Sequence, residues 1–178
     1  MKSKVEYTDL APGLRIAKVL TGLWQIADLE RDGKELDPEQ TALAMKPYVD
    51  AGFTTFDMAD HYGSAEIISG VFQQNHPASP VQLFTKWVPQ PGPVTKKDVH
   101  EAVQKALTRL KTQQIDLMQF HAWSYADPRW LDCLFWLQEL KEEGLIKHLG
   151  LTNFDAAHLR VALKSGIPIV SNQVCYSL

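Results

Sequence analysis

The chain has little with which to build several classes of protein. Only two cysteines occur in its 178 residues, Cys133 and Cys175. They form neither a close pair nor a metal-type spacing, so free thiols in a reducing compartment are expected rather than a disulfide framework. No apolar stretch approaches the roughly 20 residues of a membrane helix. The opening Met1-Lys2-Ser3-Lys4-Val5-Glu6-Tyr7 lacks the apolar run of a secretory signal. A formal net charge of −3 provides no basic surplus, so electrostatics alone would hold neither nucleic acid nor an anionic membrane. Low-complexity tracts, linkers and repeats longer than a βα unit are absent. The default is a soluble, cytoplasmic chain forming a single domain over residues 1–178, because 45% hydrophobic and 22% charged residues are ordinary for a globular fold.

What is present is a regular alternation of short apolar runs with amphipathic segments. The runs at 16–20, 54–57, 82–86, 116–121, 147–152 and 169–173 suit buried parallel strands. Helix starts are marked between them. Asp37-Pro38-Glu39 opens a helix to Gly52, Thr95 with Asp98 has the form of a capping box, and Asp127-Pro128 and Asp155 open two more. A shorter helix is expected from Ser64 to Asn75. Apolar residues recur at helical spacing, as in Val99, Val103, Ala106, Leu107 and Leu110, or Leu134, Leu137 and Leu140. Such βα units specify a doubly wound sheet or a barrel. The first βα turn has no G-x-G-x-x-G, and polar residues end nearly every strand, which favours the (β/α) barrel. Longer connections at 27–36 and 88–94 are expected to border the site.

The strand ends carry the chemistry. Phe53-Thr54-Thr55-Phe56 leads into Asp57-Met58-Ala59-Asp60-His61-Tyr62-Gly63, and two later strands end on Lys86 and His121. A tyrosine with its ordinary pKa near 10 is a weak acid at neutral pH. A nearby ammonium would lower that pKa, and a carboxylate would keep the ammonium charged. Tyr62 is thus a candidate general acid tuned by Lys86 and Asp57, with His121 as hydrogen-bond donor to a carbonyl oxygen. Each residue alone has a bland reading: a rim hydroxyl, a surface cation, a loop imidazole or a turn cap. Their occurrence in order, at successive strand ends, favours proton transfer without a metal. Asp60 and His61 read as supports, and His76, His100, His148 and His158 as structural. A different chemistry remains open, in which Lys86 is the Schiff-base nucleophile of an aldolase or lyase barrel.

Six segments in order, Gly22-Leu23-Trp24, Phe56 to Gly63, Thr85-Lys86, Phe120-His121, Gly150-Leu151-Thr152-Asn153-Phe154 and Asn172-Gln173, resemble the aldo-keto reductases from about residue 10 onward. The resemblance implies an eight-stranded barrel and NADPH-dependent reduction of aldehydes and ketones, a small-molecule carbonyl substrate, with NADP(H) binding before it. It makes Tyr62 the acid/base of a tetrad with Asp57, Lys86 and His121. Thr152, Asn153 and Gln173 would hold the nicotinamide carboxamide, with Asp57 also at the cofactor. Trp24, Trp87 and Trp123 would line the substrate mouth.

A complete barrel of this kind takes about 250 residues, so the expectation is an incomplete one with about six of eight units. Its open edges would invite pairing with another chain. Three readings follow: a piece of a full reductase, a chain completed by self-association or a second polypeptide, or an inactive binding or regulatory module.

Overall fold

A computed structural model of the chain describes residues 5–31, 33–34, 36–79 and 81–177. It opens with an antiparallel hairpin of β1 (Tyr7–Ala11) and β2 (Leu14–Ala17). Six further strands follow: β3 (Thr21–Gly22), β4 (Thr55–Asp57), β5 (Gln82–Trp87), β6 (Ile115–Phe120), β7 (Ile146–Thr152) and β8 (Ile169–Gln173). They form one sheet in chain order, β3-β4-β5-β6-β7-β8. The pairings β3–β4, β4–β5, β6–β7 and β7–β8 are parallel. The helices are α1 (Trp24–Arg31), α2 (Pro38–Ala42), α3 (Lys46–Asp50), α4 (Ala65–Asn75), α5 (Lys96–Leu110), α6 (Arg129–Glu142) and α7 (Ala156–Lys164). Parallel neighbours need such crossovers, because a tight turn returns the chain antiparallel.

The capping signals act largely as expected. The Asp37 carboxylate accepts from the amides of Glu39 at 2.9 Å and Gln40 at 3.3 Å. At α5, Thr95 N–H donates to Asp98 at 2.8 Å while Asp98 N–H donates to the Thr95 hydroxyl oxygen at 3.3 Å, a reciprocal box. Asp155 accepts from His158 N–H at 2.9 Å. Asp127 instead binds Arg129, through both its amide and its guanidinium, with Pro128 at the cap position of α6.

Three expectations are corrected. The first sheet strand is Thr21–Gly22, not 16–20. Gly13, at φ +72°, turns the chain so that Ile16 and Ala17 fold back on β1. Residues 24–31, placed partly in a loop, are helical because Leu23 and Ala27 present one buried face four residues apart; Asp32 and Glu35 of that loop lie outside the described residues. The helix from 38 to 52 is split by a 3₁₀ turn at Leu43–Met45 ahead of Pro47, whose ring nitrogen has no proton for the helical ladder.

The chain divides into two compact units. One runs to Phe84 and includes Thr108–Thr112; the other comprises Thr85–Leu107 and the residues from Gln113 onward. Phe56, Ile68, Phe72 and Leu110 are fully buried in the first. There α4 meets the end of α5 so closely that a Cβ on Gly70 would lie 2.7 Å from the Leu110 carbonyl carbon. Leu117, Met118, Phe120, Leu134, Leu137 and Leu151 are the fully buried core of the second, each contributing about 1.5–3 kcal/mol of hydrophobic stabilisation. Among the described residues no helix is long and apolar enough to cross a membrane.

Candidate active site

In the first unit, β4 ends on Asp57, paired with Gly22 of β3. The chain is pinned at that point. Leu23 N–H donates to Asp57 O and Met58 N–H to Phe84 O, both at 2.9 Å. Tyr62 N–H then donates to Ala59 O at 3.0 Å, and Ala65 N–H to Tyr62 O at 2.9 Å, so the turn carrying Tyr62 runs into the start of α4. Half-buried Tyr62 packs edge-on against Trp24, with ring centroids 4.7 Å apart, and against His61 at 5.0 Å. The His61 Nδ1 lies 2.8 Å from an Asp60 oxygen, which makes these two residues mutual supports.

Burial first, and then the Asp57 and Asp60 carboxylates, hold the Tyr62 phenol above the ordinary tyrosine value. Near Tyr62 the dominant influences disfavour the phenolate, through desolvation and negative charge.

Two residues that sequence reasoning passed over hold this turn. The Arg109 guanidinium donates to the Asp60 carbonyl at 2.9 Å and to the Glu66 carboxylate at 3.2 Å. Glu66 is only 1% exposed, and a buried carboxylate needs such a partner. A glutamate placed in the first turn of α4 was the available signal, but the sequence does not identify a partner 43 residues away.

In the second unit, Lys86 sits next to last in β5 and is 3% exposed. His121 follows β6 directly, its amide donating to Trp87 O at 3.0 Å. Its ring lies 4.4 Å from that of Trp123, which is 69% exposed. Trp87, expected at a substrate mouth, is instead a buried residue packed on Phe120 at 5.5 Å. Alternation along β5 puts it in the core, on the opposite face from Lys86.

Thr152 ends β7 opposite Gln173 of β8. Its hydroxyl is buried without a hydrogen-bond partner among the described residues. Asn153 takes a left-handed conformation, φ +56°, and its amide donates to Gln173 O at 2.7 Å. Asn172 grips Phe154 at both its amide, 3.2 Å, and its carbonyl, 2.8 Å. Tyr125, also passed over, donates to the Asn153 carbonyl at 3.3 Å and stacks on His158 at 3.8 Å. The structure thus brings Asp57, Trp24 and Tyr62 together in one unit. In the other it gathers Thr152, Asn153 and Gln173, and sets His121 beside Trp123. Among the described residues, no group of three His, Cys, Asp or Glu side chains is placed to hold a metal ion.

The model of the Aldo/keto reductase family matches residues 18–178. The chain belongs to the aldo/keto reductase family. An aldo-keto reductase of Mycobacterium sp. (strain KMS) is 30% identical over 169 residues, covering 93% of this chain and 56% of that protein. The methylglyoxal reductase of Escherichia coli O157:H7 is 28% identical over 161 residues, 86% of this chain and 51% of that protein. A solved thermostable aldo-keto reductase, in complex with the inhibitor epalrestat, superposes with a TM-score of 0.81 at 26% identity, over 96% of this chain and 62% of that one. The fold is accordingly the (β/α)8 type, represented by six of its strands. The chain spans about half the length of the curated relatives it matches.

Proposed function

We propose that this aldo/keto reductase chain carries the proton-transfer machinery of an NADPH-dependent reductase of small aldehydes and ketones. The supporting observation is the set of side chains at successive strand ends: Asp57 and Tyr62 after β4, a nearly inaccessible Lys86 at the end of β5, and His121 directly after β6. The bacterial relative named for methylglyoxal reduction favours a small carbonyl substrate.

When bound, a reduced nicotinamide would supply the hydride that adds to the carbonyl carbon. Tyr62 gives its phenolic proton to the carbonyl oxygen, completing the alcohol. Its raised pKa keeps that proton in place before reaction. His121 donates a hydrogen bond to the same oxygen and orients it. The ammonium of Lys86 stabilises the tyrosinate left behind, and Asp57 keeps that ammonium charged. Thr152, Asn153 and Gln173 hold the carboxamide. An amide ligand suits Thr152 in particular, because a buried hydroxyl without a partner is costly until a ligand atom satisfies it. Trp24 and Trp123 border the substrate, while Trp87 belongs to the core.

The test follows NADPH oxidation by absorbance with a reactive aromatic aldehyde, comparing the chain with Tyr62→Phe. General acid catalysis contributes roughly 10²–10⁴-fold, and a loss of that size is expected. No turnover by either protein would overturn the claim that this chain reduces carbonyls by itself and would favour the binding-module reading. Borohydride added with the aldehyde should trap no adduct at Lys86; a trapped adduct would favour the Schiff-base chemistry. We further propose self-association through the edge strands β3 and β8. Sedimentation in the same buffer should then show a dimer or larger species wherever turnover is seen.

A further inference from the structure

Asn153 stands in the left-handed region, at φ +56°, where a residue with a Cβ stays only when its surroundings hold it there. Within the second unit three hydrogen bonds do so. Its amide donates to Gln173 O at 2.7 Å, its side-chain oxygen accepts from Cys175 N–H at 3.3 Å, and its carbonyl accepts from the Tyr125 hydroxyl at 3.3 Å. The first two partners are backbone groups of β8 and of the residues just after it. The third is a side chain, carried by the segment that follows β6.

Tyr125 is itself held. Its ring lies nearly parallel to that of His158, with 3.8 Å between centroids and 11° between planes. Trp130 and Phe154 meet it edge-on at 5.9 Å and 5.1 Å, so the phenol has little room to swing. His158 is fixed in turn by Asp155, the cap of α7. One carboxylate oxygen accepts from the His158 amide at 2.9 Å, and the other lies 2.7 Å from Nδ1. The imidazole is thereby tied to the helix start that follows Asn153 and Phe154 in the chain. Burial first, and then the Asp155 carboxylate, hold the Tyr125 phenol above the ordinary tyrosine value, against a hydrogen bond from the Asp155 backbone. The hydroxyl therefore keeps its proton at neutral pH and can donate it to the Asn153 carbonyl.

We propose that Tyr125 is a positioning residue for Asn153, and that His158 acts on Asn153 through Tyr125. The imidazole fixes the phenol, the phenol fixes the Asn153 carbonyl, and the left-handed backbone sets the direction of the Asn153 side chain. The consequence for the cofactor rests on the reading above that Asn153 holds the nicotinamide carboxamide. Loosening this clasp then weakens cofactor binding and leaves the proton-transfer residues as they are.

The experiment measures amide hydrogen exchange at Asn153 by nuclear magnetic resonance in the whole chain, which requires neither cofactor nor turnover. Tyr125→Phe keeps the stack and loses the hydroxyl, whereas His158→Ala loses the stack. Each should speed Asn153 exchange about 3- to 10-fold, the range set by one hydrogen bond of ordinary net worth. The amide of Met118, buried in β6, should keep its rate in both. His158→Phe leaves a ring against the phenol and should stay within about twofold of the parent chain. In the Tyr125→Phe background, His158→Ala should add less than about twofold, because a residue that acts only through the hydroxyl has nothing left to act on. Fluorescence titration with NADPH should show the dissociation constant rising about 2- to 5-fold in Tyr125→Phe and His158→Ala but not in His158→Phe. Unchanged Asn153 exchange in both single variants, or full additivity in the double variant, overturns the proposal. Faster exchange at Met118 as well would reveal general destabilisation and would also overturn it. If the parent chain binds no NADPH, the reading of Asn153 as a cofactor ligand fails, and exchange at Asn153 still decides the clasp.

Discussion

Gly70→Ala sets two effects of opposite sign against each other. In an unobstructed helix the change would stabilise by about 1 kcal/mol, because alanine is the better helix former. At this position of α4, however, the new Cβ would meet the Arg109 carbonyl oxygen and lie 2.7 Å and 2.9 Å from the carbonyl carbon and Cα of Leu110. These are backbone atoms and cannot rotate aside, so the helices must separate. Overpacking of a well-packed interior costs about 1–3 kcal/mol, and contacts this short belong at the upper end. The net expectation is a destabilisation of about 1–2 kcal/mol. With a urea dependence of about 2 kcal/mol per molar, the unfolding midpoint should fall by roughly 0.5–1 M. Helix separation should also slacken the Arg109 contacts to Asp60 and Glu66 that hold the Tyr62 turn. Urea unfolding followed by circular dichroism measures the shift directly. A midpoint unchanged or raised relative to the parent chain would refute the close approach of α4 and α5.

The other predictions follow from the same kind of comparison. Gly150→Ala should cost less than Gly70→Ala, under about 1 kcal/mol, because its nearest obstacle is the Ser171 hydroxyl at 2.6 Å, which can rotate away; a larger urea shift than that of Gly70→Ala would contradict this. The pH profile of carbonyl reduction should stay flat with respect to Tyr62 up to about pH 9. A phenol of ordinary pKa near 10 is about nine-tenths protonated there, and burial with Asp57 and Asp60 raises that fraction. The rate should fall only as the pH climbs past about 10, so a limb centred between about 7 and 9 would instead reveal a phenol depressed by a cation. Tyr125→Phe should keep the stack on His158 but lose the hydrogen bond to Asn153 O, worth about 0.5–1.5 kcal/mol. If Asn153 holds the cofactor, KM for NADPH should rise about 2- to 5-fold for a loss of about 0.5–1 kcal/mol, with kcat nearly unchanged; equal losses in both constants would argue against that role.

Much of the element pattern was legible because local physics controls it. The runs at 82–86, 116–121, 147–152 and 169–173 became β5 to β8 with ends displaced by at most one residue. Central parallel strands covered on both faces favour near-continuous apolar runs, and β5 to β7 keep such runs despite the buried Lys86, Gln119 and His148. Asp37, the Thr95–Asp98 box and Asp155 marked helix starts because their carboxylates or hydroxyls satisfy amides within three residues. Errors arose where the partner was remote or the period short. Ile16 and Ala17 are apolar in either pairing, and only the turn at Gly13 sends them to β1. The sequence displays the residue types of the candidate site, but not the balance of burial and carboxylate charge around Tyr62.

By itself, the sequence determined the alternation of strands and helices, the family and the order of polar residues at strand ends, since these depend on periodicity, capping and motif within short windows. Tertiary structure alone decided that Arg109 reaches Asp60 and Glu66, that Trp87 is core while Trp123 is exposed, and that Tyr125 stacks on His158 and reaches Asn153. Burial, and the electrostatics that follow from it, depend on which distant segments pack together, and no local pattern along the chain encodes that distance.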